Sequence, residues 1–203
     1  MTGLSWLRDT YFCATFARGV TPQTLLERMG AIPSTIALRG QDNNFDENGD
    51  YILPDFDEEF GHLLYEEDGM VVKAGAVGEW AWACEESSCQ GSHPEVLRAV
   101  SAGTAAFCIF PTVKGVLFDY AEDGELITHI STVGFLDVRS GTDPDRFNDD
   151  LRALGADPDT GDYGTHTGIQ LIFELAERCL PVTITPEALM SDPVHSARLL
   201  AAE

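Results

Sequence analysis

Apolar and polar residues alternate in short stretches along the chain, a pattern typical of β-strands. In the fourth stretch Trp80 and Trp82 alternate with Ala81 and Ala83, which places both indoles on one face of a sheet and the alanines on the other. The alanine face leaves room for a helix. The predicted strands lie at residues 12–17, 35–38, 71–77, 79–85, 105–110, 116–120 and 125–130.

Helix starts are indicated where a Ser, Thr or Asp is followed closely by proline, because the first turn of a helix does not need the N–H that proline lacks. Ser92 and Glu95 also have the spacing of a capping box. A fifth helix is predicted at residues 167–179 from its stripe of apolar residues. The four proline-marked starts are Thr21-Pro22, Ser92-His93-Pro94, Asp143-Pro144 and Thr185-Pro186, and the glycines expected to end three of these helices are Gly30, Gly103 and Gly155.

Asn-Gly or Asp-Gly pairs predict tight hairpin turns within residues 45–52, 65–72 and 120–127. Strands joined by such turns and interspersed with short helices predict an α+β fold, with a mainly antiparallel or mixed sheet and proline-initiated helices packed on one side. The 203 residues are expected to form a single domain over 1–203, with a helical C-terminal part at about 143–203.

Charge changes this picture more than composition does. The chain has 12 basic and 34 acidic residues, a formal net charge of −22, which disfavours binding to phosphate backbones or anionic lipid. No apolar run is long enough for a transmembrane helix, and Arg8 and Asp9 interrupt the N-terminal region where a signal peptide would be apolar. We therefore expect a cytoplasmic protein.

The five cysteines of the chain, an odd number with irregular spacing, are expected to be reduced and mostly buried.

Half of the net charge lies in residues 42–68, which we call the acidic segment. It has no Lys or Arg, and its aromatic residues are interleaved with the acids. One interpretation is a docking surface on which acids steer a basic partner and aromatics anchor it. The alternatives are a solvated stretch whose aromatics face the core, or a mimic of nucleic acid. The candidate partner-binding residues are Asp55, Phe56, Asp57, Glu58, Glu59 and Phe60.

The acidic segment also partly matches a calcium loop. Oxygen-bearing side chains alternate, with a glycine at the bend and a carboxylate at the end, in Asn44, Asp46, Asn48, Gly49, Asp50 and Asp55. The first and last positions lack the preferred Asp and Glu, and a plain hairpin explains Asn48-Gly49 without an ion. We assign no metal and no cofactor.

The plain-hairpin interpretation predicts that millimolar calcium leaves the melting temperature equal to that in magnesium at the same ionic strength. Thermal unfolding in the two chlorides tests this. A rise of several degrees in calcium alone would establish a calcium loop at residues 44–55.

A second candidate site lies where the tryptophan strand meets the next helix. Glu85 ends the strand. The Ser92 hydroxyl and the His93 imidazole follow in the loop, and the Arg98 guanidinium lies about one turn into the next helix. These groups could meet at a helix N-terminus as a small active site, in which Arg98 pairs with Glu85. The structural alternative is a capped helix start. The residues concerned are Glu85, Gln90, Ser92, His93 and Arg98; Cys84, Cys89 and His93 could also supply three zinc ligands, but no second Cys or His pair is close in sequence.

Two blocks of sequence and one hairpin carry a resemblance to known sequences. The first block contains Trp6-Leu7, Phe12-Cys13, residues 18–22 and 25–31; the second contains Gly75, residues 77–78, Trp80-Ala81, Ala83, Glu85, residues 90–92, 94–98 and 101–104. Together with the hairpin at 120–125 they resemble an actinobacterial family of single-domain proteins of unknown function. The resemblance spans about residues 6–125 and implies one compact α+β domain, with no activity to transfer. The chain differs from similar sequences at Ser87-Ser88-Cys89, where they tend to have Asn-Gly-aromatic, and in the acidic segment.

These observations favour a non-enzymatic binding protein that engages a basic protein through its acidic surface, as immunity proteins and adaptors do. A small enzyme with a site from Glu85 to Arg98 is the alternative from a different class.

Overall fold

The alternating stretches form strands in the computed structural model of the chain, which describes residues 4, 7, 12–39, 70–85, 88–133, 139–179, 184 and 193–199. The strands are β1 (Cys13–Arg18), β2 (Ala37–Arg39), β3 (Met70–Val77), β4 (Trp80–Glu85), β5 (Ala105–Thr112), β6 (Gly115–Glu122), β7 (Glu125–Ser131), β8 (Arg139–Ser140) and β9 (Val194–Leu199). The α-helices are α1 (Pro22–Arg28), α2 (Pro94–Val100), α3 (Asn148–Ala153) and α4 (Gly168–Cys179), and two 3₁₀ helices lie at Pro33–Thr35 and Gln90–Ser92.

The nine strands of the described residues form one sheet in the order β2-β9-β3-β4-β1-β5-β6-β7-β8. Every strand pairing among the described residues is antiparallel. The prediction of an antiparallel or mixed sheet with short helices is therefore confirmed in its antiparallel form. Each of the seven predicted strands overlaps an observed one, whereas β8 and β9 were not predicted.

One face of the sheet carries Trp80 and Trp82, and we call it the tryptophan face. Trp80 is 5 % and Trp82 2 % exposed, so both indoles are core residues. Phe16 stacks on Phe107 here at 4.3 Å between ring centroids. Leu171 and other residues of α4 pack into the same cluster.

The opposite face, which we call the alanine face, is also covered by helices. Ala81 and Ala83 share a cluster there with Leu25 of α1 and Leu97 of α2. The expectation that a helix packs on the alanines is confirmed. The prediction that the helices lie on one side of the sheet is wrong, because α1 and α2 pack on one face and α4 on the other.

Two helix starts differ from the prediction. Thr21 does cap α1, accepting the N–H of Thr24 at 3.1 Å. Before α2, however, the Ser92 hydroxyl donates to the carbonyl of Cys89 and does not cap the helix, so the predicted capping box is absent. The helix expected at Asp143-Pro144 starts later, because residues 144–147 form turns before α3.

The C-terminal part needs a further correction. The helix predicted at 167–179 is confirmed as α4, but Val194–Leu199 forms a strand inside the range expected to be helical. This strand, β9, lies between β2 and β3. The helix start predicted at Thr185-Pro186 and the hairpins at 45–52 and 65–72 lie largely outside the described residues.

The residues that end helices and form the β6–β7 turn were predicted correctly. Gly30, Gly103 and Gly155 all have positive φ angles, as expected for residues that end helices. Asp123 and Gly124 have φ values of 48° and 80° and form the predicted hairpin turn between β6 and β7. No helix in the described part of the chain is long and apolar enough to cross a bilayer.

Candidate functional site

Glu85, the last residue of β4, is completely buried and fixes the loop that follows it. Its two carboxylate oxygens accept the backbone N–H groups of Gln90 at 2.7 Å and Gly91 at 2.8 Å. The Ser88 hydroxyl donates to the same carboxylate at 2.5 Å. These charge-assisted hydrogen bonds satisfy a buried anion and hold the 3₁₀ turn against the end of the sheet. We call this arrangement the Glu85 anchor.

The anchor depends on a close backbone contact with β1. A Cβ atom on Gly91 would lie 1.9 Å from the Thr15 hydroxyl oxygen and 3.1 Å from a carboxylate oxygen of Glu85. Only a residue without a side chain permits this approach. The Thr15 hydroxyl is buried and has no hydrogen-bond partner among the described residues.

Of the other residues of the predicted Glu85 site, Gln90 joins the anchor through its backbone N–H, and the remaining three do not join it. His93 lies 3.4 Å from Glu95 and is partly exposed. The Ser92 hydroxyl is bonded to Cys89, and Arg98 lies on the exposed side of α2. The expected pair between Glu85 and Arg98 is therefore not formed, since the carboxylate binds backbone N–H groups. The geometry gives Glu85 a structural role.

The cysteines divide between the two faces of the sheet. Cys84 packs in the tryptophan cluster and Cys89 against the alanine cluster, so the sheet separates two of the three residues considered as zinc ligands. Cys13 and Cys108 are buried with their sulfur atoms 3.5 Å apart. The hydrogen bond to Cys108 and burial raise the pKa of Cys13 well above its ordinary value. This thiol therefore stays protonated and is a poor nucleophile.

A second polar arrangement lies on the alanine face, nearer than Glu85 to the β8 edge of the sheet. Asp119 of β6 and His129 of β7 are directly opposite each other in the strand register. An Asp119 carboxylate oxygen lies 2.7 Å from His129 Nδ1, and the two side chains are 4 % and 28 % exposed. Because a carboxylate accepts this bond, Nδ1 carries a proton, and in the neutral imidazole Nε2 keeps its lone pair.

The carboxylate also tunes the imidazole. The hydrogen bond that His129 donates to Asp119 and the charge of the carboxylate raise the pKa of His129 above its ordinary value, against an opposing effect of burial. The pair therefore stabilises the fold most while His129 is protonated, and that contribution is lost as pH rises through the raised pKa.

Neither residue of this pair was singled out from the sequence. Asp119 alternates with Phe118 and Tyr120, which pack in the tryptophan cluster. A carboxylate at a core-facing position of a central strand was the available signal. Its partner could not be inferred, because that requires the register between β6 and β7.

We compared the chain with known protein families, curated proteins and solved structures. The chain matches the family of unknown function DUF6461 over residues 4–198. It belongs to this family. No curated protein and no solved structure matches the chain.

The DUF6461 match confirms the resemblance to a family of unknown function and extends it beyond residues 6–125. The Glu85 anchor, the Asp119–His129 pair and all nine strands start within the matched range.

The candidate partner-binding residues of this DUF6461 protein, Asp55 to Phe60, lie outside the described residues, as do the rest of the acidic segment and the calcium-like positions. Several arginines in the described part already have partners there. Arg18 binds Glu79, Arg139 binds Asp145, Arg146 binds Glu122, Arg152 binds Asp149 and Asp159, and Arg178 binds Asp150.

Proposed function

We propose that this DUF6461 protein is a cytoplasmic binding protein that engages a basic protein through its acidic segment, as an immunity protein or an adaptor does. The observation that carries the proposal is the concentration of charge. Residues 42–68 contain eleven acids and no Lys or Arg, within a chain of net charge −22. Such a field accelerates encounter with a positive partner.

The arginines of the described part support the proposal indirectly. The guanidinium groups of Arg18, Arg139, Arg146, Arg152 and Arg178 already bind acids close to their own elements. These five guanidinium groups are therefore engaged within their own fold and are not available as counterions for the acidic segment. Aromatic residues between the acids, such as Phe56 and Phe60, would supply the buried contacts that slow dissociation.

The first step of the test is capture of the partner from the native host at low salt and its release at high salt. Association is then measured with the purified partner, comparing the parent protein with a variant in which Asp55, Asp57, Glu58 and Glu59 are changed to Asn or Gln. We expect the variant to associate about 3- to 10-fold more slowly at low salt, because steering is lost. This difference should shrink above about 0.15 M salt, where screening already weakens steering in the parent.

A matched control separates local from global charge. Glu27, Glu95, Glu125 and Asp149 are exposed in the described part, and changing them to Gln or Asn alters the net charge by the same amount. We expect this control to associate at nearly the parental rate. Equal losses in both variants would mean that only net charge matters.

The anchoring residues are tested through dissociation. Phe56→Ala or Phe60→Ala should speed dissociation while leaving the salt dependence of association unchanged. The proposal would be overturned if neutralising the four acids left the association rate of the partner unchanged, or if no basic partner were captured at low salt. A partner that is displaced by competing DNA would favour the alternative that the acidic segment mimics nucleic acid.

A further inference from the structure

Three neighbouring strands place a hydroxyl, an imidazole and a carboxylate in one row. His129 of β7 lies opposite Asp119 of β6 on one side and opposite Ser140 of β8 on the other. Directly opposed residues of antiparallel strands point to the same face of the sheet, with Cβ atoms about 4.5–5.5 Å apart. The three side chains therefore share the alanine face in the order Ser140, His129, Asp119.

Burial decreases along this row toward the edge of the sheet. The Asp119 side chain is 4 % exposed, that of His129 is 28 % exposed, and Ser140 is exposed on the edge strand. The carboxylate is thus shielded from water, while the hydroxyl is accessible to another molecule. The 2.7 Å bond to Asp119 fixes the imidazole and leaves Nε2 as the ring atom that can accept a proton.

The backbone next to Ser140 is closely held against β7. Gly141 has a φ of 117°, and a Cβ atom there would lie 2.3 Å from the carbonyl oxygen of Ile127. Glycine is therefore required for the chain to turn immediately after Ser140. Beyond the turn, the N–H of Asp143 donates to the same Ile127 carbonyl at 2.9 Å. Ser140 is thus held at both the strand and the turn.

We propose that Ser140, His129 and Asp119 form a nucleophile, general base and positioning carboxylate that accept acyl groups from small esters. The inference does not rest on the proposed binding function, since it concerns different residues. Within the described residues Ser140 makes no hydrogen bond to His129. Such bonds are often long in unliganded sites and shorten when substrate binds.

The reaction balances without a cofactor. Ser140 Oγ attacks the ester carbonyl carbon while its proton passes to His129 Nε2. The carbon–oxygen bond to the alcohol then breaks, and His129 returns the proton to the leaving alkoxide. Water repeats the sequence on the acyl-serine, releasing the acid and regenerating the Ser140 hydroxyl.

Charged groups around His129 are few in the described part. Asp119 contacts the ring, and Arg139, on the opposite face of β8, is bonded to Asp145. Glu95 and Arg98 are the charged residues of α2, the helix that packs on this face, and both are exposed. Asp119 is thus the group placed to set the pH at which His129 loses its proton.

The test uses the full chain with p-nitrophenyl acetate and a fluorophosphonate, which replaces its fluoride with the serine oxygen and releases HF. Trypsin cleaves after Arg139 and Arg146, so the peptide of residues 140–146 reports labelling of Ser140. We expect both reagents to label this peptide in the parent protein and not in Ser140→Ala. Because Ser140 is exposed, that variant should keep the parental melting temperature.

The roles of the other two residues are separated by rate and pH. His129→Gln should slow labelling about 100-fold or more, the usual size of a general-base effect. Asp119→Asn should slow it at least tenfold and shift the midpoint of the pH–rate profile downward, because the bond that raises the His129 pKa is gone. A merely structural carboxylate would not move this midpoint.

Ser131→Ala is the matched control, since Ser131 lies on the same face of β7 two residues from His129 and binds the N–H of Val133. It should leave labelling at the parental rate. The proposal is overturned if the fluorophosphonate does not label Ser140, if p-nitrophenyl acetate acetylates His129 in its place, or if Ser140→Ala and Ser131→Ala behave alike. The first and third outcomes would leave the Asp119–His129 pair as a structural contact, and the second would make His129 itself the nucleophile.

Discussion

Replacing Gly91 with alanine is expected to reduce the free energy of unfolding by about 2–4 kcal/mol. Overpacking a closed contact costs about 1–3 kcal/mol, and weakening the hydrogen bonds to a buried carboxylate adds to this. The new methyl carbon would stand 1.9 Å from the Thr15 hydroxyl oxygen and 3.1 Å from Glu85. Both belong to neighbouring strands, so the 3₁₀ turn has to move. Urea unfolding followed by circular dichroism measures the change.

The cause can be isolated by a double-mutant cycle with Thr15→Ala. The Thr15 hydroxyl has no hydrogen-bond partner among the described residues, so removing it from the parent should cost only about 1 kcal/mol. In the Gly91→Ala background the same change removes the 1.9 Å contact and leaves those of 3.1 Å to Glu85 and 3.2 Å to the Cβ of residue 15, so we expect it to recover at least half of the lost stability. The backbone of Gly91 does not require a positive φ, which is why such rescue is possible.

Gly155→Ala supplies the comparison. Gly155 has a φ of 87° and no atom within 4 Å of the position of a Cβ, so its substitution introduces backbone strain without a clash. We expect a loss of about 1 kcal/mol that Thr15→Ala does not relieve. If Gly91→Ala also showed no rescue, the close contact between the Gln90–Ser92 turn and β1 would be refuted.

Replacing Trp82 with alanine is expected to reduce stability by about 3–5 kcal/mol, the usual range for deleting a large buried aromatic side chain. Trp82 is 2 % exposed and lies among aromatic and aliphatic residues of the tryptophan face. Its ring also covers Gly75 on β3, where a Cβ atom would stand 2.4 Å from the indole. Deleting the ring therefore opens a cavity between the sheet and its covering layer. Chemical denaturation measures the loss when the parent and the variant show the same dependence of the free energy of unfolding on denaturant concentration.

Trp82→Phe distinguishes packing from polar contact. The indole N–H has no hydrogen-bond partner among the described residues, so its removal should carry no penalty of its own. We expect a loss well below that of Trp82→Ala, because most of the buried ring is retained. A change of less than about 1 kcal/mol for Trp82→Ala, the range of surface substitutions, would mean that this face is open in solution.

Much of the fold was accessible from the sequence because it is encoded by neighbouring residues. Alternation gave the seven strands between β1 and β7, since side-chain direction along a strand has a period of two. Gly30 and Gly124 marked a helix end and a turn, because positive φ is a local steric requirement. The placement of Trp80 and Trp82 in the core followed from the same alternation.

Elements without a strong local pattern were missed. The two residues of β8 are too short to show alternation, and β9 was expected to be helical. The strand β9 forms because it pairs with the edges of β2 and β3. Both lie more than a hundred residues earlier in the chain. Ser92 was expected to cap α2 by its spacing, yet the Glu85 anchor turns the chain so that Ser92 bonds to Cys89.

The sequence by itself determined where strands, turns and most helix ends lie, and where the negative charge is concentrated, because those properties depend on residues close together in the chain. Only the tertiary structure decided that helices cover both faces and that backbone N–H groups donate hydrogen bonds to the Glu85 carboxylate. It also decided that Asp119, His129 and Ser140 meet in one row. These outcomes depend on strand register and burial, which are set by packing between residues distant in sequence.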